Sequence, residues 1–247
     1  MALLEYRPIK CIVLVLGLAL AGCAGEPTAI GLSFESVVAE YEATVTSAKF
    51  SHRGNPSLVR KWSGPVYYTI INADPFQAAI IRSHMDVLRV LTGLEITQVG
   101  NIQQSNFRIF FGSQSELRGM LADYFGSDPT PPELAQSSCF ANLKATRAGV
   151  IRYAQAGIGK KNRGHLMRHC MLEELVQAFG PVNDACHFRP SLFCDGPGTH
   201  GTGITWGDEI IIKTLYDRRL KPGMPRDKAM PIARQIISEL FAMKKNG

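Results

Sequence analysis

The stretch Cys170–Asp184, which reads CMLEELVQAFGPVND, decides the fold. Its periodic apolar residues predict a helix from Gly164 to Phe179. On that helix Glu173 and Gln177 are four residues apart, so they share one face with their side chains one turn from each other. Gly180 follows Gln177 by three residues, and Asn183-Asp184 begins three residues after Gly180, so the pattern as a whole is more specific than a generic amphipathic helix.

The same spacing occurs in the active-site helix of metzincin-type zinc proteases, HExxHxxGxxH/D, in which two His hold the metal and the Glu polarises water. Glu173 and Gln177 stand where the two His belong, Glu174 keeps the position of the Glu, and Asn183-Asp184 fall where the third ligand belongs. The frame predicts zincin architecture without the zinc ligands. If the site is catalytic, Glu174 is the general base.

Two interpretations of these polar residues remain open. The oxygens of Glu173, Gln177 and Asn183 or Asp184 suit a hard divalent cation such as Ca²⁺ or Mg²⁺ better than zinc. Alternatively, Glu173 and Gln177 hydrogen-bond the long excursion over residues 183–208 and hold that loop in place of a metal. The second interpretation predicts that replacing both by Ala lowers stability even when metal is absent.

The histidines suggest an alternative metal site. His165 and His169 are four residues apart on the same predicted helix, and Glu173 continues the row. Two His at this spacing can chelate a transition metal. His187 and His200, in the excursion, would complete such a site only if the loop folds back over the helix.

The N-terminus predicts a lipoprotein signal over residues 1–22. Arg7 and Lys10 precede the apolar run 11–21, which is too short to span a bilayer comfortably. The run ends in Leu20-Ala21-Gly22-Cys23, which resembles the bacterial lipobox, so we expect Cys23 to be acylated and to anchor the chain to a membrane. Ala24 follows where an inner-membrane retention signal would have Asp, which favours the outer membrane, facing the periplasm.

The cysteine count agrees with an oxidising compartment. Without Cys11 and Cys23, four cysteines remain, which allow three pairings. We favour Cys139–Cys170, which would tie a strand region to the Glu-rich helix, and Cys186–Cys194, which would close a short polar loop. No CxxC pair is present to favour a Cys-ligated zinc.

The net charge excludes few classes of function. The net charge of +6 comes from scattered Lys and Arg with small clusters at 160–163 and 244–245. Such clusters are typical of solvated surface. No aromatic residues alternate with them in the sequence, as a groove for single-stranded nucleic acid would require, so we do not expect a nucleic-acid partner. Attraction to an acidic envelope surface is the other interpretation.

The remaining pattern predicts an α+β domain: a mixed sheet, the motif helix and C-terminal helices, preceded by a helical arm. We expect an arm and connector over 23–61 and a zincin-like domain over 62–247. The predicted helices are 33–50, 74–91, 113–125, 164–179, 208–216 and 226–243, and the predicted strands are 66–71, 94–99, 107–111 and 149–158.

From Trp62 to Met243 the chain resembles the proteobacterial lipoprotein family described as domain of unknown function 2927. The resemblance rests on Cys-x-x-Glu-Glu-x-x-Gln from Cys170, on Gly-x-x-Asn-Asp from Gly180, and on similar pieces at 190–193, 206–208 and 215–224. It implies a zincin-like fold with no assigned activity.

We therefore expect an envelope lipoprotein that has lost metalloprotease catalysis and serves a binding or assembly role. An envelope protein or peptide is the expected partner, for example a peptide strand added to a sheet edge. The alternative is an atypical metal-dependent peptidase or cell-wall hydrolase that uses Glu174.

Overall fold

The computed structural model describes residues 31–46, 58–126, 130–194 and 201–245. The predicted signal peptide, Cys23 and His200 lie outside the described residues, as do parts of the predicted arm and connector. None of the helices in the described part of the chain is long and apolar enough to cross a membrane.

The described residues contain seven α-helices. They are α1 (Phe34–Tyr41), α2 (Pro75–Thr92), α3 (Gln114–Phe125), α4 (Pro132–Gln136), α5 (Gly164–Gln177), α6 (Trp206–Tyr216) and α7 (Arg226–Lys245). A π-helical turn, Glu42–Thr46, continues α1, and a 3₁₀ turn covers Ile102–Gln104. The sequence did not predict the short helix α4.

Five strands form one mixed sheet. They are β1 (Val66–Ile71), β2 (Ile96–Gln98), β3 (Phe107–Gly112), β4 (Cys139–Ala145) and β5 (Ile151–Gly159), in the order β2-β1-β3-β5-β4. All neighbours are parallel except β4, which runs antiparallel to β5. The α+β class and the mixed sheet expected from the sequence are therefore confirmed.

Local sequence signals explain where several helices begin. Asp74 caps α2, with Pro75 at the first helical position, and Ser113 forms a capping box with Glu116 at the start of α3. Thr205 caps α6 through the backbone N–H of Asp208, so that α6 begins at Trp206, two residues earlier than predicted. A side-chain oxygen at these positions accepts from backbone N–H groups that the first helical turn leaves without partners.

The main core lies on one face of the sheet. Inward-facing side chains of β3 and β5, including Phe107, Ile109 and Ile158, are fully buried there. Helices α1, α2, α5, α6 and α7 contribute to this core, whereas α3 packs Leu117 and Leu121 against Phe140 in a smaller cluster. The motif helix α5 thus lies inside the domain.

The predicted helical arm differs from the observed α1. Val37, Val38, Tyr41 and Val45 belong to the same core cluster as the helices of the domain. An arm that merely connected an anchor to a domain would keep one face in water, but this helix buries its apolar face against α6 and α7. Residues 33–46 therefore pack as part of the domain.

Both favoured disulfide pairings are present. Cys139 of β4 is bonded to Cys170 of α5, with their Cα atoms 5.9 Å apart, and Cys186 is bonded to Cys194, with a Cα separation of 4.5 Å. The first bond joins the edge strand to the motif helix. The second closes a loop inside the excursion that follows the helix.

Candidate functional site

The motif helix is exposed in its first turn and buried from His169 to Val176. Apolar residues such as Leu172, Leu175 and Val176 are fully buried, and Glu173 and Glu174 are only 5% and 4% exposed. Adjacent carboxylates on a helix are most often solvated, but a carboxylate in the interior requires polar partners. The question is therefore which groups those partners are.

A continuous row of side-chain contacts runs along the helix, and each end of the row contacts a residue of the excursion. The ring Nδ1 of His169 lies 2.8 Å from the carbonyl oxygen of Gly201, and its Nε2 lies 3.0 Å from Glu173 Oε2. Gln177 Nε2 donates to Glu173 Oε1 at 3.3 Å and to Asp184 Oδ1 at 2.9 Å. We call His169, Glu173, Gln177 and Asp184 the motif network.

The motif network joins the two ends of the excursion to a single helix. Asp184 lies at the start of that loop and Gly201 near its end, and both contact side chains of α5. The amide nitrogen of Gln177 lies between two carboxylate oxygens, where its two N–H groups can each donate one hydrogen bond. An amide donor thus bridges two carboxylates as a cation otherwise would.

Each ring nitrogen of His169 contacts an oxygen atom. A carbonyl oxygen only accepts, so Nδ1 carries the hydrogen of the contact with Gly201. The contact between Nε2 and Glu173 then requires one more proton, held by the imidazole or by the carboxyl. Both ring nitrogens of His169 are therefore engaged, and neither is directed at an open ligand position.

The other predicted ligands are not all brought together. Asn183 directs its side-chain nitrogen to the carbonyl oxygens of Ala43 and Thr44, at 3.1 and 3.3 Å. His165 is exposed to solvent, whereas His169 is 2% exposed. His187 contacts Glu40 and not the motif helix. Of the predicted oxygen ligands, Glu173, Gln177 and Asp184 meet in one place.

The donor chemistry at this position does not fit a zinc ion. Zinc in proteins takes His nitrogen, thiolate or carboxylate ligands in a tetrahedral arrangement. Gln177 presents N–H donors to Glu173 and Asp184, and the one nearby imidazole has both nitrogens engaged. Within the described ranges, no group of three or more His, Cys, Asp or Glu side chains is arranged to hold a metal ion.

A second buried network connects α1, the excursion and α6. The hydroxyl of Ser191 lies 3.2 Å from Glu40 Oε1 and 3.0 Å from Asp208 Oδ1. Glu40 Oε2 also accepts from the backbone N–H of His187 at 2.7 Å, and the ring Nδ1 of His187 lies 3.0 Å from the same oxygen. Asp208 also accepts from the backbone N–H of Leu192. We call Glu40, His187, Ser191 and Asp208 the Ser191 network.

Burial controls the ionisation of the two carboxyl groups of the Ser191 network. Glu40 and Asp208 have no measurable exposure. Desolvation raises the pKa of each above its ordinary value, although hydrogen bonds from His187, Thr205 and Leu192 oppose the rise. The hydroxyl of Ser191 has one hydrogen and contacts two carboxyl groups, so it can donate to only one of them. A proton on the other carboxyl group supplies the hydrogen for the second contact.

The C-terminal end of α5 is also held by side chains. Trp62 Nε1 donates to the carbonyl of Ala178 at 3.0 Å, and the hydroxyl of Tyr216 donates to the carbonyl of Phe179 at 2.8 Å. These contacts satisfy carbonyls that the last helical turn leaves without intrahelical partners. The end of the motif helix at which Gln177 lies is therefore held by Trp62, which precedes β1, and by Tyr216 of α6.

Lys61, next to Trp62 in the sequence, donates hydrogen bonds to the C-terminal end of α6 in the same way. Its ammonium group donates to the carbonyls of Leu215 and Asp217, at 2.9 and 3.1 Å. Burial, with a smaller effect of Lys221, lowers the pKa of Lys61 to about 8, although Asp217 opposes the shift.

One of the two edges of the sheet to which a peptide strand could be added is partly covered. β4 forms one edge, and the hydroxyl of Ser137 contacts both the backbone oxygen and the backbone nitrogen of Cys139. Tyr124 donates its hydroxyl to the carbonyl of Leu143 at 2.5 Å. Side chains thus occupy backbone groups that an added strand would need, a common protection of sheet edges.

Sequence reasoning missed the Ser191 network, although part of its signal was readable. Glu40 lies three residues after Val37 and just before Tyr41, so a lone carboxylate falls on the apolar face of α1. Thr205 and Asp208 have the spacing of a capping box. Nothing in the sequence placed Ser191 between them, because the excursion brings it there.

The fold and the site together define an α+β domain in which a buried, Glu-rich helix is joined to a long loop by internal hydrogen bonds. Residues 33–235 match the family described as "Protein of unknown function (DUF2927)", and the chain belongs to this family. The match begins in α1 and not at Trp62, in agreement with the packing of α1 into the domain. No curated protein matches the chain.

Proposed function

We propose that this chain is an envelope lipoprotein with a zincin-like domain that no longer catalyses peptide hydrolysis and serves a binding or assembly role. The observation that carries this proposal is the position of Gln177, whose amide nitrogen bridges Glu173 and Asp184. In a metzincin the corresponding helix position carries a His that binds the same metal ion as the third ligand beyond the helix. Here the same helix position supplies a hydrogen-bond donor to Asp184, so in this proposal the loop needs no cation to hold it to the helix.

The expected localisation follows from the N-terminal sequence. Lipidation of Cys23 at the end of the lipobox would anchor the protein in the envelope, with the outer membrane favoured by Ala24. Two disulfides in the domain agree with a compartment outside the reducing cytoplasm. Mass spectrometry of the mature N-terminal peptide and fractionation of the two membranes test this part of the proposal.

The experiment on activity combines metal quantification with a broad peptide-cleavage assay on the purified wild-type protein and on Glu174→Gln. We expect no metal-dependent cleavage and no difference between the two proteins. Cleavage that requires a bound metal and disappears in Glu174→Gln would overturn the proposal in favour of a metal-dependent peptidase.

The hydrolase alternative has one observation in its favour. Glu174 lies in the interior, 4% exposed, at the helix position where zinc proteases have their general base. A carboxylate at such a place is costly to bury, so its presence calls for an explanation. In the leading proposal the explanation is structural, and Glu174→Gln then alters the free energy of unfolding but no catalytic rate.

A further inference from the structure

The two ends of the chain's described part meet at one end of the domain. Helices α1 and α7 pack side by side in opposite directions, with Glu35 paired to Arg234 at 2.7 Å and the rings of Phe34 and Phe241 6.1 Å apart. Trp206, at the start of α6, lies 4.6 Å from the ring of Phe241. The start of α1, the start of α6 and the end of α7 therefore share one surface.

This surface combines exposed apolar groups with a positive charge. Leu32 is 39% exposed and Met243 is 67% exposed, while Trp206 is half-buried. The ammonium group of Lys244 lies 4.0 Å above the centre of the Trp206 ring. We call the surface formed by Leu32, Trp206, Phe241, Met243 and Lys244 the anchor end.

Acidic side chains do not offset that charge. The carboxylate of Glu35 is paired with Arg234, and that of Glu209, in the first turn of α6, is paired with Lys213. Beyond Glu239 the helix α7 has no acidic residue through Lys245. An indole, a thioether and a lysine at one surface match the boundary between lipid headgroups and acyl chains, where amphipathic side chains have both apolar and wet surroundings. Lysine is further attracted by anionic headgroups.

The short distance along the chain from Cys23 limits where the anchor end can be. Residues 24–31 alone separate Cys23 from Leu32, a span of about 30 Å even when fully extended. A compact domain of this length has a diameter of about 40 Å. An acyl anchor at Cys23 therefore excludes an orientation in which the anchor end points directly away from the membrane.

We infer that the anchor end lies against an anionic lipid surface, with Trp206 and Met243 in the headgroup boundary and Lys244 at the phosphates. The acylated Cys23 thus fixes one orientation of the domain, with α1 and α7 next to the bilayer. The inference rests on the lipid anchor of the proposed function.

The two tryptophans of the chain provide the test. Trp206 is at the anchor end, whereas Trp62 is 3% exposed and donates to a backbone carbonyl in the interior. The full-length lipidated protein is reconstituted in phosphatidylglycerol vesicles with and without bromine on the acyl chains near the headgroup. Bromine quenches an indole only when the two are nearly in contact. We expect wild-type emission to fall and the emission of Trp206→Phe to be unchanged.

Matched variants test the orientation without relying on one substitution. Met243 and Val90 are both exposed apolar residues on helices, at 67% and 75%, and Val90 lies on α2. Met243→Glu should remove the quenching of Trp206, and Val90→Glu should leave it as in the wild type. Replacing phosphatidylglycerol by phosphatidylcholine should weaken it, and Lys244→Glu should have the same effect.

The outcomes separate this inference from the proposed function. Absence of acyl chains on Cys23, seen by mass spectrometry before reconstitution, would overturn the lipoprotein proposal itself. A lipidated, vesicle-bound protein whose Trp206 is not quenched would overturn the inference alone. Equal quenching in Val90→Glu and Met243→Glu, or shielding of Trp206 in a cross-linked dimer, would also contradict it.

Discussion

Replacing Glu40 by Gln tests how the Ser191 network is satisfied. Glu40 Oε2 accepts from the backbone N–H of His187, and Oε1 faces the hydroxyl of Ser191, which also faces Asp208. Gln offers an oxygen to His187 and an N–H donor to Ser191, which then donates to Asp208. The substitution therefore supplies the missing hydrogen without a charge.

The expected gain in stability follows from the number of hydrogens available to the two carboxyl groups. When Glu40 and Asp208 are both ionised, the one hydroxyl hydrogen of Ser191 leaves one buried carboxylate oxygen without that donor, which costs about 1–3 kcal/mol. We expect Glu40→Gln to raise the free energy of unfolding at pH 7.5 by about 1–2 kcal/mol, near the lower end of that range. For a domain of this size the corresponding rise in Tm is about 2–8 °C.

The pH dependence has a definite sign. Burial raises the pKa of Glu40 above its ordinary value of 4.5, so the folded protein holds this proton to higher pH than the unfolded chain. The contribution to stability is complete below the unfolded value and decreases as pH rises through the folded pKa. The advantage of Glu40→Gln should therefore disappear near pH 4 and increase towards neutral pH.

The assay is urea unfolding of wild type and Glu40→Gln, followed by circular dichroism between pH 4 and 8 with the disulfides intact. His187 faces Glu40, so the same comparison in a His187→Gln background separates the contributions of the two groups. Glu35→Gln, at an exposed ion pair on the same helix, is the control for charge removal at the surface. A loss of stability in Glu40→Gln that is constant across this pH range would refute the reasoning.

Three further predictions concern the motif helix. Tyr216→Phe removes the donor to the carbonyl of Phe179 and should cost about 1–3 kcal/mol in urea unfolding, whereas no change would show that water replaces it. Gly180→Ala should cost at least about 2 kcal/mol, since Gly180 has φ +126° and an added Cβ would meet the backbone oxygen of Arg60; a neutral result would mean that the turn can rearrange. Gln177→Glu replaces an amide donor by a third carboxylate and should be destabilised in chelator but rescued by millimolar Ca²⁺, and stability equal to that of the wild type in chelator would contradict the role assigned to the amide.

Periodicity and capping signals predicted most of the fold. Asp74-Pro75 and Ser113 mark the starts of α2 and α3, and the capping geometry observed there agrees with that prediction. Strand β4 and helix α4 had weaker signals, because β4 is an edge strand with mixed exposure and α4 is five residues long. Tertiary packing, not local pattern, decides such short elements.

The candidate site was predictable only as a set of residues on one helix. The spacing of Glu173 and Gln177 placed them together, and the structure also brings Asp184 to Gln177. The role of His169 depends on Gly201, which is distant in sequence and is positioned by the excursion. Such a contact has no local sequence signal, because a backbone carbonyl can come from any residue.

The central claim is that hydrogen bonds and not a cation hold the excursion to the motif helix, and the stability of Gln177→Ala tests it most directly. Gln235→Ala is the matched control, since Gln235 donates to Glu239 at the same four-residue spacing on the exposed face of α7. We expect Gln177→Ala to lose about 1–3 kcal/mol of unfolding free energy in chelator, Gln235→Ala to change by less than about 0.5 kcal/mol, and added Ca²⁺ or Zn²⁺ to leave the wild type unchanged. The opposite result has two parts: the wild type gains stability when metal is added, as mass action requires for a bound ion, and Gln177→Ala equals the wild type in chelator but does not gain stability with metal. In that case Glu173, Gln177 and Asp184 hold a cation, and the central claim is wrong.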